Sequence, residues 1–118
     1  MFEKNLNISL LLDFYGDVLS ERQRDILDFY YNDDLSLAEI ANNYDISRQG
    51  VRSILKKGEN ILVEMEERLH LAERFTSVQE KSTQIANELK KIISLIDNAD
   101  ISEKISSVIN KINELADI

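Results

Sequence analysis

Seven side chains able to grip a nucleic acid stand within eleven positions of one another: Ser47, Arg48, Gln49, Arg52, Ser53, Lys56 and Lys57. An arginine can bridge two acceptors on the edge of guanine, and a glutamine can do the same on adenine. Ser47 and the amides that follow it can donate to phosphate if a helix starts there. Lys56 and Lys57, about three turns further on, would meet the sugar-phosphate backbone. The chain has 22 Asp and Glu against 14 Lys and Arg, a net charge of −8. Even so, no acid interrupts Ile46 to Gly58. That local absence marks a cationic face, and the chemistry it points to is recognition.

Covalent catalysis has little to work with. There is one histidine, His70, no cysteine, no glycine-rich phosphate loop and no histidine pair at metal-ligand spacing. The expectation is a non-enzyme with no cofactor and no metal. Asp33-Asp34 reads as a turn, since a cation site needs more ligands at set spacing. Glu64, Glu66 and Glu67 do not share one helix face and are expected to meet solvent. His70 is expected to pack, partly exposed, on an amphipathic helix.

A cationic face is useful only if a scaffold holds it. Ser36 stands three residues before Glu39, a capping-box spacing that opens a short helix ending near Asn43. Asn42 to Ile46 supplies the turn, and Ser47 caps the next helix. The expected inward set is Ile40, Ala41, Tyr44, Ile46, Val51 and Ile54, with Ala41 small where two helices must come close. This is the pattern of a helix-turn-helix, whose second helix enters the major groove. Upstream, Leu6, Ile8, Leu11, Leu12, Tyr15 and Val18 follow near-helical spacing up to Gly16. Ser20 and Gln23 form another capping box, followed by a stripe of Ile26, Leu27, Tyr30 and Tyr31.

Downstream, Leu55, Leu62 and Leu69 recur every seven residues with Gly58, Met65 and Ala72 between them, predicting one long helix from Ser47 to about Phe75. Thr76-Ser77 offers caps for a restart near residue 77. The next stripe is Val78, Ile85, Leu89, Ile92 and Ile96. A turn follows at Asp97–Asp100, with Asp100 and Glu103 capping a last helix striped by Ile101, Ile105, Val108, Ile112 and Leu115. Gly50 inside the reading helix costs about 1 kcal/mol against alanine and reads as tolerated. Gly58 marks either a soft point or a close helix contact.

The whole is expected to be all-α: a helix-turn-helix bundle without a wing, a long connecting helix and C-terminal helices. Scarce helix breakers, with three glycines and no proline, agree. Residues 1–58 form the expected DNA-binding domain and residues 59–118 a helical extension. That extension either packs on itself or pairs two copies as a homodimer. The absence of cysteine suits a reducing cytoplasm. No signal peptide or membrane-length apolar run is read in the sequence, and a cytoplasmic setting is the expectation.

Phe29-Tyr30-Tyr31-Asn32-Asp33-Asp34-Leu35-Ser36-Leu37-Ala38-Glu39-Ile40-Ala41, then Ile46-Ser47-Arg48-Gln49-Gly50-Val51, then Leu69-His70-Leu71, resembles the YlxM family. These are small bacterial helix-turn-helix proteins encoded beside signal recognition particle genes. The likeness covers roughly residues 8–75. It departs at Gly50, where alanine is usual, and at Arg52-Ser53. The Leu19–Gln23 opening and the helix-turn-helix also resemble the −35-reading region of sigma factors, which implies a DNA-facing role for Arg48, Gln49 and Arg52. The family resemblance implies regulation of, or participation in, the signal recognition particle pathway.

Three readings follow. The first is a DNA-binding transcription regulator reading through the helix from Ser47. The second is a binder of the particle's RNA, less natural because a deep narrow duplex groove excludes a helix. The third is a protein-interaction module docking a particle component, which an acidic surface would favour against a basic partner.

Overall fold

Side-chain oxygens set where every described helix after the first begins. A computed structural model describes residues 6–116, with side chains described from residue 8. These residues form six α-helices and no strand: α1 (Leu6–Tyr15), α2 (Glu21–Tyr31), α3 (Leu37–Tyr44), α4 (Arg48–Leu69), α5 (Leu71–Leu95) and α6 (Ala99–Ala116), with a 3-10 turn at Gly16–Val18 after α1. Ser20 and Ser36 both make full capping boxes, with Gln23 and Glu39. Ser47 Oγ accepts from the Gly50 amide at 2.9 Å. Each cap satisfies first-turn amides that would otherwise lack partners. All three predicted starts are observed.

The chain divides into two compact units, one ending at Ala72 and the other beginning at Glu73. In the first, α4 is the common partner: α1, α2 and α3 each pack on it. Its Val51, Leu55 and Leu62 are wholly buried, among Ile8, Leu12, Ile26, Leu27 and Ile40. α4, the second helix of the helix-turn-helix, itself runs past residue 58 to Leu69, and the unit that holds it has Leu62 and Ala72 in its core. Gly58 is a close contact and not a soft point: a Cβ there would stand 2.7 Å from Leu27 Cδ1. The predicted apolar stripes of α1 and α2 are buried, save Val18, which the 3-10 turn leaves 54% exposed. The Leu6 side chain lies outside the described residues.

The long helix does not run unbroken to Phe75. It stops at His70, whose backbone takes the left-handed conformation (φ 56°) that closes many helix C-termini. The break is held by a relay. The Tyr15 hydroxyl donates to Glu66 Oε1 at 2.7 Å and accepts from the Leu71 amide at 3.1 Å. Glu66 Oε1 also accepts from the Ala72 amide at 3.0 Å. A residue of α1 and one of α4 thus cap α5 from its first turn. Glu66 is half-buried and engaged, contrary to the expectation that it meets solvent. Because α5 starts at Leu71, Thr76-Ser77 lies inside it and starts nothing.

The second unit is a pair of helices joined at Ile96–Asn98. Asn98 makes the cap expected of Asp100, accepting from the amides of Asp100 and Ile101 at 3.0 and 3.2 Å. Gln79 Nε2 donates to the Ala116 carbonyl at 3.1 Å, tying the start of α5 to the end of α6, so the pair is antiparallel. Ser82, Ala86 and Ile109 are its buried residues.

All four tyrosines (15, 30, 31 and 44) lie in the first unit, and the chain has no tryptophan, so tyrosine fluorescence reports that unit alone. Tyr15→Phe removes the acceptor of the Leu71 amide and a donor to Glu66. It is expected to lower stability by about 1–3 kcal/mol in urea titrations read by that fluorescence. Gly58→Ala is expected to destabilise in the same titration even though alanine favours helix, because buried Leu27 must shift; overpacking of this kind costs about 1–3 kcal/mol.

Candidate nucleic-acid interface

The turn between α3 and α4 is three residues long, Asp45, Ile46 and Ser47, which leaves little freedom in how the helices meet. Asp45 ends α3 in the left-handed region (φ 53°, ψ 47°), and the Ile46 amide bonds back to the Ala41 carbonyl at 3.1 Å. Asp tolerates this conformation better than most residues because its short polar side chain can bond locally. Ile40, Ala41 and Val51 are buried, and Tyr44, Ile46 and Ile54 are half-buried against the same core. The predicted inward set therefore points inward in full. Tyr44 is held further by the Phe29 ring, centroids 6.4 Å apart, and by the Arg22 guanidinium 5.5 Å above it. Burial pushes its hydroxyl pKa up, with nearby Asp25 adding to the rise.

With that face fixed, the other face of α4 is left to solvent. Ser47, Arg48, Gln49, Arg52, Ser53, Lys56 and Lys57 are all exposed. Gln49, Arg52, Ser53, Lys56, Lys57 and Asn60 together line one shallow groove. Their spacing of three, one, three, one and three residues is that of a single helix face. Asn60 was not among the residues singled out in the sequence. Its signal was available, since it lies one turn beyond Lys56 on the same line. Arg48 sits in the first turn, outside the groove lining, and Ser47 is the cap itself. Among the described residues no ion pair engages Arg48, Arg52, Lys56 or Lys57. Elsewhere Arg24 pairs with Asp17 and Arg68 with Glu64.

The Ser47 oxygen is occupied by the Gly50 amide, so what it can offer a phosphate is its own proton. A Cβ on Gly50 would stand 3.3 Å from that same oxygen. The glycine thus adjoins the cap directly. No helix among the described residues is long and apolar enough to cross a membrane.

A short capped helix, a three-residue turn and a second helix with an exposed cationic face define a helix-turn-helix protein of the DNA-binding type. Comparison with known proteins agrees. The family model of YlxM / p13-like helix-turn-helix proteins, UPF0122, matches residues 2–114. The UPF0122 protein of Clostridium kluyveri is 41% identical over 107 residues, covering 91% of this chain and 96% of that one. The UPF0122 protein of Shouchella clausii is 39% identical over 115 residues, covering 98% and 99%. That of Acetivibrio thermocellus is 38% identical over 112 residues, covering 95% and 92%. The chain belongs to the UPF0122 family, as the resemblance to YlxM proteins had implied, and the match extends past residue 75.

Glu59 follows the lysine pair and Gly58 but is half-buried. Burial raises its pKa from 4.5 to about 7. The folded state therefore holds this proton to a higher pH than the unfolded chain does. Stability from this group is fully present below pH 4.5 and is lost as pH rises through about 7. Glu59→Gln is expected to remove that slope and to raise the urea midpoint at pH 8, measured by tyrosine fluorescence.

Proposed function

We propose that this protein is a DNA-binding regulator that lays the N-terminal half of α4 into the major groove. Arg48, Gln49 and Arg52 meet base edges, while Ser47, Ser53, Lys56 and Lys57 meet phosphates and sugars. The observation that carries this reading is the single exposed face formed by Gln49, Arg52, Ser53, Lys56, Lys57 and Asn60 on a helix whose opposite face is core. Residues 1–58 contain the reading unit, and the helical extension from residue 59 supports it. The kinship with YlxM proteins supports a place in the cytoplasm and in the signal recognition particle pathway, through gene neighbourhood. Regulation of transcription in that pathway is the form the activity takes.

A second reading is favoured by the net charge of −8, which suits contact with a basic protein better than with a polyanion. In it the same helices dock a signal recognition particle component. The particle's RNA would be met at loops or ends, because its duplex groove does not admit α4.

Gel-shift measurements on bacterial genomic fragments separate these readings. With Lys56 and Lys57 each neutralising a phosphate, log K is expected to fall against log salt with a slope of about −1.8. The double variant Arg48→Ala/Arg52→Ala is expected to weaken retention at least about tenfold with the slope nearly unchanged, whereas Lys56→Ala/Lys57→Ala is expected to remove the slope. Unchanged retention in the arginine double variant would reject the α4 reading. Loss of DNA with a particle component still bound would separate the two activities.

A further inference from the structure

The helix pair α5–α6 buries little of its own apolar surface, and the part left over is ordered. Its inner seam runs through Gln79, Ser82, Ala86, Leu89 and Ile93 on α5 and through Ser102, Ile105, Ile109 and Ile112 on α6, all buried or half-buried. The spacings alternate between three and four, the a and d positions of a heptad. One residue before each a position stands a second apolar line. On α5 it is Val78, Ile85 and Ile92, and on α6 it is Ile101, Val108 and Leu115. All six are 43–57% exposed. These are g positions. In an antiparallel pair the g positions of both helices border the same side of the seam and the e positions border the other. The structure shows the e side directly: Thr83 and Asn113, an e position from each helix, line one polar groove with Gln79 and Ala116. The opposite side is therefore an apolar face of three rungs, Val78 with Leu115, Ile85 with Val108 and Ile92 with Ile101. Rungs seven residues apart are about 10.5 Å apart along the helix. Leu95, 84% exposed, extends the face at the turn end.

We infer that this face is closed by the same face of a second copy, giving a four-helix bundle with twofold symmetry. Three observations favour a copy over another protein. Helices apolar at a, d and g have the pattern of bundle members, whereas a two-helix seam needs a and d alone. The rung spacing is the same on both helices, so the face is complementary to itself under a twofold rotation, as an isologous interface requires. Its footprint, about 27 Å along α6 and about 20 Å across two helices, is of the order of the ~800 Å² per partner buried in stable interfaces. A two-helix unit whose buried residues are Ser82, Ala86 and Ile109 also has too small a core to stand alone, and small units commonly gain theirs by association. Pairing would place two helix-turn-helix units in one assembly, matched to a DNA site with twofold symmetry; that consequence alone rests on the DNA reading.

Sedimentation equilibrium of the full chain at micromolar concentration, without nucleic acid, is expected to give twice the 13.6 kDa chain mass. A single species of 13.6 kDa would overturn the proposal and leave the face to a different protein. Ile85→Glu/Val108→Glu is expected to give the monomer mass with the tyrosine fluorescence of the first unit unchanged; a dimer surviving both charges would place the interface elsewhere. The absence of native cysteine permits a milder second test. A short bis-maleimide is expected to link Ile85→Cys or Val108→Cys chains into covalent pairs and to leave Thr83→Cys chains single. Equal linking of all three would refute a one-sided interface. A dimer that binds no DNA would reject the reading of α4 and leave this pairing standing.

Discussion

The packing of α4 is the constraint from which the rest follows. One helix supplies Val51, Leu55 and Leu62 to the core and, on its other side, the exposed face from Gln49 to Asn60. The two tasks are coupled by helical geometry: once the apolar face is seated, the rotation of the cationic face is settled with it. Leu27 lying against Gly58 brings α2 close enough to lock that rotation. The exposed side chains are thus placed by rigid elements, which is what recognition at the scale of a base edge requires.

Charge works locally against the global balance. A surface of net −8 repels polyanions at a distance, and salt shortens that repulsion to about 8 Å at physiological strength. Within that range what matters is the acid-free stretch from Ile46 to Gly58 and its unengaged cations. Three arginines elsewhere are engaged, Arg24 with Asp17, Arg68 with Glu64 and Arg22 with the Tyr44 ring. The acids are spread over the other elements. Were α4 to meet DNA as proposed, such a distribution would give modest, salt-sensitive affinity per chain, which two linked reading units would reinforce.

The two units use different means of holding helices together. The first buries large aliphatic and aromatic side chains and adds the relay of Tyr15, Glu66 and the α5 amides. In that relay the tyrosine hydroxyl is desolvated, which together with Glu66 raises its pKa and keeps it a proton donor at ordinary pH. The second unit has small residues, Ser82 and Ala86, at its inner seam and keeps large aliphatics on a face beside it. The larger side chains remain for a further surface.

Much of this was legible in the chain of residues because it depends on local chemistry. Helix starts at Ser20, Ser36 and Ser47 follow from a side-chain oxygen meeting an amide three residues away. The inward set from Ile40 to Ile54 follows from helical period, and the exposed set from Ser47 to Lys57 is its complement. Asn60 could have been found by continuing that same line one turn. What could not be read is whatever depends on residues distant in sequence. The helix break at His70 needs Tyr15, 56 residues before the Leu71 amide it caps. The role of Gly58 needs Leu27 on another helix, and the burial of Glu59 needs the packing around it. The stripes of α5 and α6 were read as single faces, but antiparallel pairing splits each into an inner seam and an outer line. Sequence alone determined which residues could cap, pack or carry charge. Tertiary structure decided which were left facing solvent, because exposure is set by neighbours that only folding brings together.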